Sequence, residues 1–178
     1  SSIAVGGGDF EISTINAAEG KNFGLEAELD WLINQDWRLF ASLGLLRSTF
    51  EEYNNPDPDS INVENRRQAH APSYQFNLGG EYYFARNWTF MANVEGKDEF
   101  YFSNSHNSKS SSYAIVNSSV DYRNGDWKVT LWGRNLFDKE YATRGFFFAN
   151  NAPNYDVVET YTQLGDPRVV GINVSWDY

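Results

Sequence analysis

The sequence predicts an all-β chain, a single antiparallel sheet of about seven strands built as a segment of transmembrane β-barrel wall. Three observations predict it. Long runs alternate apolar and polar residues with period two, the signature of a strand with one greasy and one wet face. These runs are joined alternately by short turns and long polar loops. Aromatic residues make up 17% of the chain although hydrophobic residues reach only 41%, a balance that suits a wall better than a dry globule.

The first strand is expected from about Phe10 to Ile33, after a Gly-rich loop tip from Ser1 to Asp9. Phe23, Leu25, Ala27, Leu29, Trp31 and Ile33 fall on one face, and Gly24, Glu26, Glu28 and Asp30 on the other. Asn34-Gln35-Asp36 is a tight turn, and Trp37 to about Tyr53 carries Leu39, Ala41, Leu43 and Leu45 opposite Arg38, Ser42 and Gly44. Asn54 to His70 reads as a long loop broken by Pro56 and Pro58. Ser73 to Phe84 alternates Tyr74, Phe76, Leu78 and Tyr82 against Gln75, Asn77, Gly79 and Glu81. After the turn Ala85-Arg86-Asn87, Trp88 to about Ser103 sets Phe90, Ala92 and Val94 against Met91, Asn93, Glu95 and Lys97. Asn104 to Ser112 is a low-complexity polar loop. Tyr113 to Tyr122 then leads into Arg123-Asn124-Gly125-Asp126, whose Asn-Gly pair is a strong hairpin signal. The next strand opens at Trp127 and is expected to run on through Tyr141. Ala142 to Thr160 reads as one long segment rich in Asn and Phe, before the terminal strand Gly165 to Tyr178.

Trp31, Trp37, Trp88, Trp127 and Trp176 lie beside the short turns or the C-terminus, with Tyr82, Phe84, Tyr122 and Tyr178. They form a belt of the kind that sits at a membrane interface, and only Trp132 falls elsewhere. No apolar run approaches the ~20 residues of a spanning helix. The net charge of -10 argues against nucleic acid as a partner. Without cysteine there is neither a disulfide framework nor a thiolate metal site.

Asn135-Leu136-Phe137-Asp138-Lys139-Glu140-Tyr141, then Arg144-Gly145-Phe146, Gly165-Asp166-Pro167-Arg168 and an aromatic C-terminus resemble the C-terminal third of TonB-dependent outer-membrane receptors. Gly24-Leu25-Glu26-Ala27-Glu28-Leu29 before a tight turn is similar to a further landmark of that family. The resemblance covers essentially the whole chain. It implies that residues 1–178 are the C-terminal part of a larger barrel of about 22 strands, with the plug domain and earlier strands outside these residues. It implies an active-transport receptor in the Gram-negative cell outer membrane, its C-terminus periplasmic, importing a scarce nutrient such as a ferric siderophore. The partners implied are outer-membrane lipid and lipopolysaccharide, the remaining strands and plug, TonB through an N-terminal region, the barrel-assembly machinery and the nutrient ligand. A small autonomous outer-membrane barrel with a structural or adhesion role is the alternative, and a soluble carbohydrate-binding sandwich a third reading.

No enzyme constellation is present, and neither a cofactor nor a metal site is expected. His70 and His106 lie in different loops without a neighbouring acid at ligand spacing. Asp57-Pro58-Asp59 lacks the glycine and closing glutamate of a calcium loop. Substrate-binding candidates fall in the long loops, where Arg144, Phe146, Phe147, Phe148, Asn150 and Asn151 combine a cation, rings and amides. Tyr101, His106 and Asn107 are further candidates. Glu26, Glu28, Arg38, Glu81, Glu95, Lys97 and Arg134 are expected to line a hydrated lumen and face the plug, and Trp176 and Tyr178 to form the assembly signal.

Overall fold

The computed structural model of the protein describes residues 2–5, 9–12, 18–53, 61–153 and 157–177, the first two segments and residue 18 by backbone alone. The strands are β1 Ser2–Val5, β2 Asp9–Ile12, β3 Ala18–Leu32, β4 Trp37–Tyr53, β5 Tyr74–Ala85, β6 Trp88–Lys97, β7 Tyr113–Asn124, β8 Trp127–Arg134, β9 Ala142–Phe148, β10 Glu159–Leu164 and β11 Val169–Trp176. Seven of them form one sheet in the order β11-β8-β7-β6-β5-β4-β3, every neighbouring pair antiparallel. Among the described residues β1 pairs only with β2, and β9 only with β10.

The strand number agrees with the sequence reading, but five boundaries differ. The terminal strand, expected from Gly165, begins at Val169, because the Gly165 and Arg168 N–H groups donate to Tyr141 O and Asp138 Oδ1 and not to β8. Residues Ser2–Val5, expected in a loop tip, pair with Asp9–Ile12 as a separate hairpin, so the first long strand of the sheet begins at Ala18. β6 stops at Lys97, because Phe100 and Phe102 leave the sheet to bury themselves under the loops, at 2% and 5% exposure. β8 stops at Arg134, because Asn135 and Asp138 adopt left-handed backbone with φ of 48° and 53°, which no strand continues. The segment from Ala142 to Thr160 is no plain loop, since it holds all of β9 and the first two residues of β10, its partner.

Short connections all lie at one end of the sheet. Ile33–Asp36 is held by the Asn34 side chain, whose Oδ1 accepts the Asp36 and Trp37 N–H groups. β5 and β6 are joined through Arg86 and Asn87. Strand pairing persists to Asn124 opposite Trp127, so the hairpin loop is Gly125-Asp126 and not the Asn-Gly pair itself. Gly125, first of the two, takes a φ of 57°, the conformation a two-residue loop with leading glycine uses. The long connections, of which residues 61–73, 98–112, 135–153 and 157–168 are described, lie at the other end.

The register sorts the two faces into rows. One row reads Leu29, Ala41, Leu78, Val94 and Val116, and the adjoining row on the opposite face reads Glu28, Ser42, Asn77, Glu95 and Ile115. Leu29, Leu78, Leu131 and Ile172 on the first face are more than half exposed. Trp37 stacks on Tyr82 at 4.3 Å, Trp88 on Tyr122 at 4.7 Å and Trp127 on Trp176 at 6.0 Å, which makes the ring belt continuous along the short-turn end.

The belt also measures the tilt of the strands. Trp37 is level with Tyr82 and Phe90, whereas Trp88 lies two residues nearer the turn on the same strand as Phe90. Trp88 is level in turn with Tyr122 and Val129, and Trp127 lies two residues beyond Val129. The belt therefore slips by two residues, ~6.6 Å, for every two strands, ~9.6 Å. A belt lying in one plane then requires strands inclined by about 35°, the inclination of closed barrels.

Neither face of the sheet carries a core. Among the described residues the buried apolar side chains are Phe50, Val63, Ala71, Phe100 and Phe102, all at the loop end. The sheet needs lipid on one face and water or protein on the other, because an exposed apolar face of this extent is untenable in solution.

Candidate functional site

The loops at the long-connection end form a second, compact layer, and Arg66 is its centre. Asn65 at φ 59° turns the chain back on β4, where its N–H donates to the Phe50 carbonyl and the Phe50 N–H donates to Arg66 O. Val63, fully buried, seals this return. Arg66 then reaches across to the loop of residues 98–112. Its Nη1 donates to His106 O at 2.8 Å and Asn107 Oδ1 at 2.9 Å, its Nη2 to Ser103 O at 3.0 Å, and its plane lies 4.3 Å from the Tyr101 ring. Burial pushes the Arg66 guanidinium below its ordinary pKa, yet three oxygen acceptors hold it charged.

Arg67 anchors the same loop from below, donating to Ser73 Oγ, to Asp98 Oδ2 at 2.8 Å and to Glu99 Oε1 at 2.9 Å. Burial raises the Asp98 carboxyl, but the hydrogen bonds from Arg67, the Glu99 backbone and Ser73 outweigh it and leave the pKa below its usual value. Lys109 closes the cluster on Glu99 at 2.8 Å and over the Tyr101 ring at 4.8 Å.

The β9–β10 hairpin leans on this loop with one face. Phe147 lies 3.9 Å from the His106 ring, the Ser108 and Thr160 hydroxyls are 3.4 Å apart, and a side chain at Gly145 would enter the Phe102 ring. The opposite face is open to solvent. It carries Arg144 over Phe146 at 5.8 Å, and Phe148 stacked on Tyr161 at 4.5 Å and 8°. Asn151 donates to Glu159 at its edge, and Asn150 is exposed.

The polar face of the sheet continues below the loops. Arg38 grips Asp30 through two nitrogens, at 2.9 and 2.6 Å, and reaches Glu81 at 3.3 Å. Asn117 Nδ2 donates to Glu95 at 3.0 Å. Lys97 has no carboxylate within ion-pair distance among the described residues and lies 4.8 Å from Phe100 and 5.6 Å from Tyr113. A concavity of about 470 Å3 opens here, lined by Glu26, Glu28, Gln75, Glu95, Lys97 and Tyr113 with Tyr141. Phe40 and Trp132 also fall on this face. Phe40 lies on Gly79 and Trp132 on Gly171, where any Cβ would collide with the ring, and Arg134 caps Trp132 at 5.5 Å.

A sheet with one lipid-type face, one polar face and loops elaborated at a single end is the geometry of an outer-membrane receptor wall. The family described as "TonB dependent receptor-like, beta-barrel" matches residues 2–136. The chain belongs to the TonB-dependent receptor family. Family members are outer-membrane proteins, and transport receptors in place of enzymes. The fold is similar to the ferric yersiniabactin uptake receptor FyuA from Yersinia pestis, with a TM-score of 0.74 and 22% identity, over 92% of this chain and 24% of that one. It is also similar to the siderophore receptor PiuA from Acinetobacter baumannii, with a TM-score of 0.76 and 18% identity, over 99% of this chain and 24% of that one. The copper transporter OprC matches at a TM-score of 0.66 and 16% identity, over 90% of this chain and 24% of that one. The chain thus spans about a quarter of the length of these three proteins.

Within that family frame the candidates divide into groups. Tyr101, His106 and Asn107 are engaged by Arg66 and by Phe147 in joining one loop to the next. Arg144, Phe146 and Phe148 share the open face of the hairpin, and Phe147 is on the docked face. Glu26, Glu28, Arg38, Glu81, Glu95, Lys97 and Arg134 all fall on the polar face by register. Trp176 sits in the ring belt, whereas Tyr178, Asp57 and Asp59 lie outside the described residues. Arg66 and Arg67, the organisers of the loop layer, escape the sequence reading. Their signal is an adjacent cation pair in a loop rich in acids and amides, which says nothing of the carbonyls that Arg66 reaches or the carboxylates that Arg67 grips.

Proposed function

We propose that this chain is the C-terminal section of the barrel of an outer-membrane active-transport receptor that binds a scarce nutrient, a ferric siderophore by class, and imports it with energy from TonB. The long-connection end of the sheet faces the exterior, and the short turns and the C-terminus face the periplasm. The observation that carries the reading is the open hairpin face of Arg144, Phe146, Phe148 and Tyr161, held above a polar wall by the Arg66 loop layer. A cation and flat rings on a fixed hairpin suit an anionic, aromatic chelate.

The barrel is completed by further strands, about 22 in all, and its plug packs on Glu26, Glu28, Arg38, Glu81, Glu95, Lys97 and Arg134. Open edges at β3 and β11 favour this over a small autonomous barrel with a structural or adhesion role, since an unpaired strand edge in lipid costs several kcal/mol per peptide group. The apolar face meets outer-membrane lipid and lipopolysaccharide, and Trp176 with Tyr178 is read by the barrel-assembly machinery during insertion. TonB acts through the N-terminal region.

The test is uptake of 55Fe presented as a catecholate, a hydroxamate and a citrate complex by cells expressing the receptor. Phe146→Ala with Phe148→Ala is expected to lower binding of one of these complexes at least tenfold without lowering receptor abundance. Unchanged binding of every complex by the double variant contradicts the assignment of the site.

A further inference from the structure

The motif Asn135-Leu136-Phe137-Asp138 and the segment Gly165-Asp166-Pro167-Arg168 have no part in the site described above, yet Asn135 is the most deeply buried polar residue described, at 1% exposure. Every polar atom of its side chain is used. Oδ1 accepts the Lys139 N–H at 2.8 Å, and Nδ2 donates to Lys139 O at 2.9 Å and to Asp166 O at 3.0 Å. Its own N–H donates to Asn117 Oδ1 at 3.0 Å, which ties the group to β7. Asp138 completes the arrangement by accepting the Arg168 N–H at 2.8 Å.

These bonds join the chain leaving the sheet, residues 135–141, to the chain returning to it, residues 165–168. They pinch together the two legs of the β9–β10 hairpin, and immediately above them the Gly165 N–H donates to Tyr141 O while Gly165 lies against the Tyr141 ring. Tyr141 in turn stacks on Tyr113 at 4.2 Å. Among the described residues the hairpin forms its own two-stranded sheet and is paired with no strand of the main sheet. Its stance is set by this base and by the light contacts of Phe147, Thr160 and Gly145 with the neighbouring loop. The sheet below has its own ladder from Val169 opposite Arg134 to Trp176 opposite Trp127 and does not depend on the pinch.

We infer that Asn135, with Asp138, is a positioning device that fixes the stance of the β9–β10 hairpin against the loop of residues 98–112. Its consequence for ligand binding rests on the reading given under Proposed function. The φ of 48° selects asparagine or glycine, and only asparagine also supplies one acceptor and two donors. The conformation and the bonds can therefore be separated: Asn135→Gly keeps the backbone freedom and removes the bonds.

The test uses the receptor in outer membranes with two cysteine pairs. Ser108→Cys with Thr160→Cys reports docking of the hairpin, and Thr130→Cys with Asn173→Cys reports the β8–β11 ladder. Asn135→Gly and Asp138→Ala are expected to lower the oxidative cross-linking rate of the first pair at least fivefold and to leave the second within twofold. Asn135→Asp, which keeps the acceptor, is expected to fall between Asn135→Gly and the unaltered protein. An unchanged first pair overturns the inference, and so does loss of both pairs, which makes Asn135 an ordinary prop of the sheet. Loss of the first pair alone with unaltered 55Fe-catecholate, hydroxamate and citrate binding upholds the positioning role and instead removes the hairpin from the ligand site.

Discussion

Leu78 and Asn77 are neighbours on β5 at the same depth and on opposite faces, so an arginine at each isolates what the face contributes. Leu78 is 53% exposed in the apolar row, and it lies four residues from Tyr82 in the ring belt. At ~3.3 Å per residue and the ~35° tilt derived from the belt, that is about 11 Å above the interface, close to the centre of a ~25 Å apolar band. Leu78→Arg is therefore expected to destabilise the inserted barrel by ~2–4 kcal/mol, which is roughly 30- to 1,000-fold in the folded-to-unfolded ratio. Asn77→Arg loses the 2.7 Å bond from Asn93 Nδ2, worth ~1 kcal/mol, but places its charge beside Glu95, in the polar row that also holds Glu28. Its net effect is expected to stay within about 1 kcal/mol. Urea-dependent folding of the full receptor into lipid vesicles, followed by heat-modifiable gel mobility, measures both. Equal costs at the two positions would refute the assignment of one face to lipid.

Three further outcomes follow from the loop layer. Arg66→Ala removes three bonds from a charged donor to one loop, so local opening of residues 103–109 should become easier by ~2–4 kcal/mol, and tryptic cleavage after Lys109 at least tenfold faster. Gly145→Val drives a side chain into the Phe102 ring and should undock the hairpin at a cost of ~1–3 kcal/mol, read as faster amide exchange in β9 with the sheet unaffected. Because the Asp98 carboxyl is held below its usual pKa of ~3.9, its contribution is fully present above that value and is lost as pH falls through the folded one. Amide protection of residues 98–110 should hold from pH 7 to about 4 and decline below it. Asp98→Asn should reduce that pH dependence.

The parts of the fold legible in the sequence are those fixed by local periodicity. Strand alternation names the faces because a side chain's face follows from its parity, and a tryptophan after each short turn marks the belt and its drift. Strand ends were less legible. Residues 98–103 keep the alternation of β6, and only the burial of Phe100 and Phe102 under distant loops takes them out of the sheet. β8 looks continuous through Tyr141 until Asn135 turns left-handed, a choice made by partners at Asn117 and Asp166. Ser2–Val5 reads as loop because it is followed by glycines, which here precede a hairpin partner. In the site, residue types mark Arg144 and the phenylalanines as suited to a ligand, but composition cannot separate the docked Phe147 from the open Phe146 and Phe148. Nor can it find Arg66, whose acceptors are two backbone carbonyls and one side-chain amide some forty residues away.

A spanning wall puts the two ends of the sheet on opposite sides of the outer membrane. Ser105→Cys places a thiol on an exposed position of the long-loop end, and Asp126→Cys on an exposed short turn. On intact cells a membrane-impermeant maleimide is expected to label Ser105→Cys at once, and Asp126→Cys only after the outer membrane is permeabilised. Labelling of both positions on intact cells, or of Asp126→Cys alone, would contradict a spanning wall with its loops outside.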